Sequence, residues 1–234
     1  MQLFYHPDID TGIATLDAEE SRHCVKVLRL REGDAIDVAD GRGTLCHCRI
    51  VSADARACVV EVIERERDFR RRPFRLHLAV APTKNAARIE WLVEKAVEIG
   101  IDEITPVICD HSERGVQKTD RLEKIAISAM KQSLRATLPI IHPATPLATL
   151  LQQPFDGQRL VCYCDGDQRQ TLADTYSAPN DALLLIGPEG DFSAHEIEQA
   201  LQQGYAPITL GDTRLRTETA ALYAVAALNF MNER

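Results

Sequence analysis

The sequence predicts an α/β protein in two parts: a small N-terminal β-barrel over residues 1–72 and a larger domain over residues 73–234 built on a mostly parallel sheet. Three observations carry this. Short strand-like runs separated by tight turns fill Ala35 to Ile63. The stretch Glu64 to Arg72 (ERERDFRRR), closed by Pro73, reads as a charged linker. From Phe74 onward, strand patterns alternate with helix patterns.

In chain order, Asp17 and Glu20 have the spacing of a capping box and predict a short helix through Val27 and Leu28. Strands follow at Ala35 to Ala39, Thr44 to Val51 and Ala57 to Ile63, parted by Asp40-Gly41-Arg42-Gly43 and by Ser52 to Arg56. Phe74 to Val80 alternates with Arg75 and His77, which predicts a strand with one polar face. Ile89, Leu92, Val93, Ala96 and Val97 keep helical spacing and stop at Gly100. Glu103 to Ile108 reads as a strand and Leu122 to Met130 as a helix. Leu160 to Cys164 and Ala182 to Ile186 are continuous apolar runs of the kind buried inside parallel sheets. Ser193 to Glu196 is a capping box for a helix ending near Gly204. Ile208 to Leu210 is a last strand, and Thr217 to Met231 a final helix rich in small residues.

The 27 Lys and Arg residues against 35 Asp and Glu give a net charge of −8, which excludes a polycation that coats nucleic acid indiscriminately. The charge is uneven. Residues 22–72 hold 12 basic and nine acidic residues, whereas residues 150–234 hold five and 12. A local nucleic-acid contact in the first part stays open. The first ten residues have neither a basic n-region nor an apolar h-region, and the longest weakly apolar run, Ala220 to Leu228, is too short to span a bilayer, so a cytoplasmic protein with no membrane partner is expected. Seven cysteines make no disulfide framework. Cys46-His47-Cys48 and Cys162-Tyr163-Cys164 invite a metal reading, but neighbours in a strand point to opposite faces and the C-x₂-C spacing is missing; buried thiols and no metal are expected.

Two loops follow buried strands and precede helices, where open α/β sheets bind ligands. In Gly187-Pro188-Glu189-Gly190-Asp191, the glycines permit close approach of a ligand or a positive φ; a plain strand-to-helix turn is the alternative. Neither a P-loop nor G-x-G-x-x-G is present, which disfavours a nucleotide-dependent enzyme. In the second loop, Gly211 to Arg216, Thr217 as N-cap and Glu218 on the helix dipole explain part of the pattern. They leave Arg214 and Arg216 at a helix N-terminus, where cations are disfavoured, so at least one arginine calls for an anionic or electron-rich partner.

The segment LLLIGPEGDFSAHEIEQALQQGYAPITLGDTRLRTETAAL resembles the C-terminal signature of bacterial ribosomal RNA uridine-N3 methyltransferases of the SPOUT class. Further similarity lies in Pro82 to Val107, Lys131 to Pro139 and Arg22 to Asp34, so the resemblance covers nearly the whole chain. The sequence departs from the family at Asp191, where another Gly is usual, and at Thr213-Arg214, where Arg-Ile is commoner. The resemblance implies a PUA-like barrel that holds RNA and a SPOUT domain with a C-terminal trefoil knot. It implies a homodimer that uses S-adenosyl-L-methionine to methylate N3 of a uridine in small-subunit 16S rRNA. Ile186, Gly187, Pro188, Glu189, Gly190, Leu210, Gly211, Leu215, Arg216, Thr217, Thr219 and Ala220 should surround the methyl donor. Arg216 is the candidate for stabilising the base and Glu218 for general base or positioning. Arg22, His23, Lys26, Arg29 and Arg31 should meet RNA from the barrel, with Lys84, Arg88, Gln132 and Arg135 extending the track into the catalytic domain. A non-catalytic ribosome-assembly factor on the same scaffold is the alternative.

Overall fold

A computed structural model describes residues 2–113, 119–164 and 170–233. The chain divides into two units, Met1–Arg71 with Ile127–Leu138, and Arg72–Ala126 with Pro139–Arg234.

In the first unit, β1 (Leu3–Tyr5), β2 (Ile13–Thr15), β3 (Ala35–Ala39), β4 (Leu45–Ser52) and β5 (Val59–Glu66) form one sheet in the order β1-β3-β4-β5-β2. The expected barrel is thus a curled sheet ending in β1 and β2, which are not paired to each other among the described residues. Alternation along the strands sends Val38, Cys46, Cys48, Ile50 and Val60 into a core shared with Phe4, Ile9, Leu16, Cys24 and Cys58. Helix α1 (Ala18–Arg22) starts at Asp17, whose carboxylate accepts the Glu20 amide at 2.8 Å. Glu20 does not close a capping box; its side chain pairs with Lys131. The helix passes into a π-turn over His23–Val27, and Arg29 then sits at φ 58°, outside any helix. The first three residues of the expected linker, Glu64 to Glu66, are strand, because β5 keeps its charges outward. Arg65 donates to Asp10 at 2.8 Å, and Glu66 lies 2.8 Å from His47.

In the second unit the strands are β6 (Leu76–Val80), β7 (Glu103–Ile108), β8 (Ile140–Ile141), β9 (Thr145–Pro146), β10 (Gln158–Cys162), β11 (Gln170–Thr171), β12 (Ala182–Ile186) and β13 (Ala206–Thr209). The main sheet runs β11-β13-β10-β12-β6-β7-β8 with every pair parallel, and β9 pairs with β7. Helices are α2 (Ala86–Ile99), α3 (Thr119–Gln132), whose residues from Ile127 onward group with the first unit, α4 (Leu147–Leu151), α5 (Leu172–Thr175), α6 (Ala194–Gln202) and α7 (Thr217–Asn232). The central β6 and β12 are buried at every position, as parallel strands covered on both faces must be. The polar face expected for β6 is therefore absent. His77 is buried, lies 2.7 Å from the Thr105 hydroxyl, and is pushed down to a pKa of about 4 by burial.

Small residues on α7 (Ala220, Ala221, Ala224) let it pack closely on α2 and β6. The buried Asn229 amide donates to the Gly100 carbonyl at 2.8 Å, which closes the end of α2 at a glycine with φ 127°. Arg72 donates to Asn229 at 2.6 Å and pairs with Asp102, so the first residue of the unit is clamped to its last helix. No helix among the described residues is long and apolar enough to cross a membrane.

Candidate functional site

From β6 the chain steps to β7 on one side, while β12 lies on the other. The carboxyl ends of β6 and β12 therefore flank a switch point, the place where a doubly wound sheet opens a crevice. Loop 81–85 leaves β6 there, and the Ala81 amide donates to the Ile186 carbonyl at 3.0 Å. Asn85 caps α2 by accepting the Ala87 amide at 3.0 Å. A cleft of about 590 Å³ lies beside it, lined by Lys84, Asn85, Ala86, Arg88, Glu113 and Glu189.

The loop after β12 is held from several sides. The capping box forms: Glu196 accepts the Ser193 amide at 2.8 Å, and the Ser193 hydroxyl accepts the Glu196 amide at 3.3 Å. His111, which follows β7, reaches the Gly190 and Asp191 carbonyls at 3.2 and 2.9 Å through Nδ1. Carbonyls only accept, so Nδ1 carries the proton. The two glycines do not take positive φ. Gly187 is required because a Cβ there would stand 2.9 Å from the buried Phe192 ring, whereas a Cβ at Gly190 would stand 3.1 Å from the exposed His111, a tight contact. The residue at positive φ is Asp191, at 61°. The αL conformation favours glycine and costs an ordinary side chain about 1–2 kcal/mol, which Asp offsets by local hydrogen bonds. Its two carboxylate oxygens accept the Phe192 and Cys164 amides at 2.8 and 2.7 Å.

The loop after β13 turns at Gly211, φ 116°. The main-chain amides from Asp212 to Arg216 take no hydrogen bond among the described residues. Leu210 and Leu215 are half-buried. This offers a ligand an apolar surface rimmed by free main-chain donors. Thr217 is not the N-cap; that position is Arg216, at φ −71° and ψ 155°. Thr217 is buried and donates its hydroxyl to the Gly187 carbonyl at 3.1 Å, tying the two loops together across the end of β10. Arg214 lies 3.5 Å from the Glu189 carbonyl. The guanidinium of Arg216 is exposed and without a partner among the described residues. Glu218 is buried: one carboxylate oxygen stands 3.5 Å from Arg88 Nε, and Oε2 has no hydrogen-bond partner. Thr219 is exposed and Ala220 buried.

The structure thus pairs Thr217 with Gly187, Arg214 with Glu189 and Glu218 with Arg88, and brings Lys84 and Arg88 to the Glu189 cleft. Lys84 is paired with Glu113 at 2.9 Å. Arg22, Lys26, Arg29 and Arg31 are exposed on the first unit. Lys26 and Arg29 do not share a helix face, because the chain leaves the helix before Arg29. His23 packs edge-on to Phe4 and lies 3.0 Å from Gln2. Gln132 and Arg135 belong with the first unit, not the second. Cys46 and Cys48 are buried thiols as expected, and burial pushes Cys48 up to about 12. Cys164 is exposed because β10 ends before it. His111 and Asn85 escaped sequence reasoning, although both follow strand ends in the same ring of loops and were findable by that rule.

Residues 70–229 match the RNA methyltransferase domain family, and residues 16–63 the RNA methyltransferase PUA domain family. The chain is 31% identical to ribosomal RNA small subunit methyltransferase E of Bacillus subtilis, over 94% of this chain and 90% of that protein. Its fold is similar to that of a probable rRNA-methyltransferase from Porphyromonas gingivalis, with TM-score 0.93, 43% identity, and 100% and 99% of the two chains covered. It is also similar to the Neisseria gonorrhoeae ribosomal RNA small subunit methyltransferase E bound to S-adenosyl methionine, with TM-score 0.89, 28% identity, and 99% and 98% covered.

Proposed function

Because the chain belongs to the RNA methyltransferase family, among the ribosomal RNA small subunit methyltransferases E, we propose that it methylates N3 of a specific uridine in 16S rRNA of the small ribosomal subunit. The donor is S-adenosyl-L-methionine, and the protein acts in the cytoplasm as a homodimer with its C-terminal loops threaded into a trefoil knot. The first unit holds the RNA, and the loops after β12 and β13 hold the donor. The observation that carries this reading is the Thr217–Gly187 hydrogen bond, which welds those loops beside free main-chain amides and the unpaired Arg216.

The residues present fit such a donor. It carries no phosphate, so no P-loop is needed, while half-buried Leu210 and Leu215 offer its ring an apolar bed. When bound, it supplies an electrophilic methyl group on a sulfonium. The protein's task is alignment, which rigid loops serve better than mobile ones. Uridine N3 must also lose its proton, and the charge then spreads onto O2 and O4. Arg216, exposed at the α7 N-terminus, would neutralise that charge. Glu218 would orient the base or take up the proton; its Oε2 is buried without a hydrogen-bond partner, and Arg88 stands beside the other oxygen.

The test is to map methylated uridines in rRNA from cells with and without the protein, and to follow labelled methyl transfer by the purified chain. One uridine N3 that loses its methyl group in the deletion and regains it with purified protein supports the reading. An unchanged methylation map overturns it.

A further inference from the structure

At the end of the second unit's sheet opposite the loops, three donor-bearing residues meet that methyl transfer does not use. His77 is the second residue of β6, Glu103 the first of β7, and His142 follows β8 directly. Parallel register sets His77 beside Glu103, and the His142 amide donates to the Ile104 carbonyl at 2.9 Å, bringing His142 to the same edge. His142 Nε2 stands 2.8 Å from Glu103 Oε2, and His77 Nδ1 stands 4.0 Å from the same oxygen. One donor atom from each of the three residues lies within 4.8 Å of the others.

We propose that His77, Glu103 and His142 bind a divalent transition-metal ion of the zinc class, with water completing the coordination. Two imidazoles and one carboxylate select such an ion over magnesium or calcium, which prefer all-oxygen sites. Donor atoms around a tetrahedral ion with bonds of ~2.0–2.1 Å sit about 3.3 Å apart. The observed separations straddle that value. Binding would spread the His142–Glu103 pair slightly and draw His77 in, without moving a strand. The 4.0 Å gap between His77 Nδ1 and the carboxylate is beyond hydrogen-bond reach, so this nitrogen faces the carboxylate without bonding to it.

The surroundings are those of a ligand set. The other nitrogen of His77 is 2.7 Å from the Thr105 hydroxyl, the kind of outer partner that fixes the ring and tautomer of a metal-binding histidine. The Phe155 ring, with its centroid 6.4 Å from that of His77, closes one side. The side chain of His77 is 10% exposed, that of Glu103 23% and that of His142 35%, so one side stays open for entry and for water. The ion would pin β6, β7 and the segment after β8 together at their amino ends, far along the strands from the loops that start chemistry.

The experiment uses untagged, chelator-treated full-length protein titrated with Co²⁺ and Zn²⁺. Expected are the visible d–d absorption of Co²⁺ in a nitrogen and oxygen site, its displacement by Zn²⁺, and a rise in Tm of about 5–10 °C at a hundredfold excess of Zn²⁺ over Kd. His142→Ala, at the exposed side of the cluster, and Glu103→Gln should each abolish the absorption and the Tm rise while keeping the native far-UV spectrum. Cys164→Ser should retain both signals. Absence of the absorption in the wild type overturns the proposal. So does its persistence in both ligand variants, or an added thiolate charge-transfer band that Cys164→Ser removes.

Discussion

Thr217→Val replaces a buried hydroxyl with a methyl group of similar shape and leaves the Gly187 carbonyl without the bond that joins the two loops. An unsatisfied buried acceptor costs about 1–3 kcal/mol, which is roughly 5- to 150-fold in an equilibrium constant. If the bond sets the geometry of the donor pocket, a good part of this cost falls on binding, since the loops must be brought back into register when ligand arrives. Calorimetry with S-adenosylmethionine and with its homocysteine product should then show at least about fivefold weaker binding, the lower end of that range. Thr217→Ser keeps the hydroxyl and serves as the control; it should bind as the wild type does. Denaturant unfolding of the same variants separates the two places where the energy can go. If Thr217→Val loses stability but binds both ligands as tightly as Thr217→Ser, the bond only holds the fold, and the reasoning that ties it to the donor site fails.

Arg216→Ala should lower methyl transfer far more than donor affinity, because the exposed guanidinium is assigned to the base; single-turnover rates equal to the wild type would remove that role. Replacing Arg22, Lys26 and Arg29 together should weaken RNA binding and flatten its salt dependence by about two to three units of slope, and an unchanged slope would make them merely solvated charges. Gly187→Ala sets a Cβ 2.9 Å from the Phe192 ring, so it should destabilise the chain by about 1–3 kcal/mol in denaturant unfolding. His47 is raised by its hydrogen bonds to Glu66 and then Asp37; its contribution is full below the unfolded value near 6.5 and is lost as pH rises through the higher folded value. Glu66→Gln should flatten that pH dependence in unfolding experiments, and an identical pH profile would show that the pair does not couple to folding.

The fold was legible where local pattern and tertiary burial agree. Ala35 to Ala39 and Ala182 to Ile186 match their observed strands at both ends, because segments this short, bounded by polar turns, are long enough for a strand and too short for a helix. Legibility failed where partners distant in sequence decide. His77 looked like the polar side of a strand, yet Thr105 on the neighbouring strand makes its burial tolerable. Arg65 and Glu66 looked like linker, yet Asp10 and His47 draw them into β5. The C-terminal part of α3 follows the same amphipathic pattern as the rest, so nothing local announces that residues from Ile127 onward group with the first unit.

The candidate site divides the same way. That the loops after β12 and β13 matter follows from strand-then-helix order alone. Which atoms matter does not. A capping rule assigns Thr217 to the helix start, and the rule is sound as local chemistry, but the hydroxyl has a stronger claim on a carbonyl thirty residues away, reached only because β10 lies between β12 and β13 and brings both loops to one edge. Arg216 takes the cap position without capping, so its guanidinium is not consumed by the fold. Two basic residues at a helix N-terminus are an electrostatic cost, and the structure settles only Arg214, against the Glu189 carbonyl. The unsettled charge of Arg216 and the partnerless oxygen of Glu218 are complementary defects, a cation facing solvent and a buried acceptor within three residues of each other. Under the proposed reaction, a substrate that develops negative charge as it gives up a proton would relieve both at once, and a uridine nitrogen about to take a methyl group is a substrate of that kind.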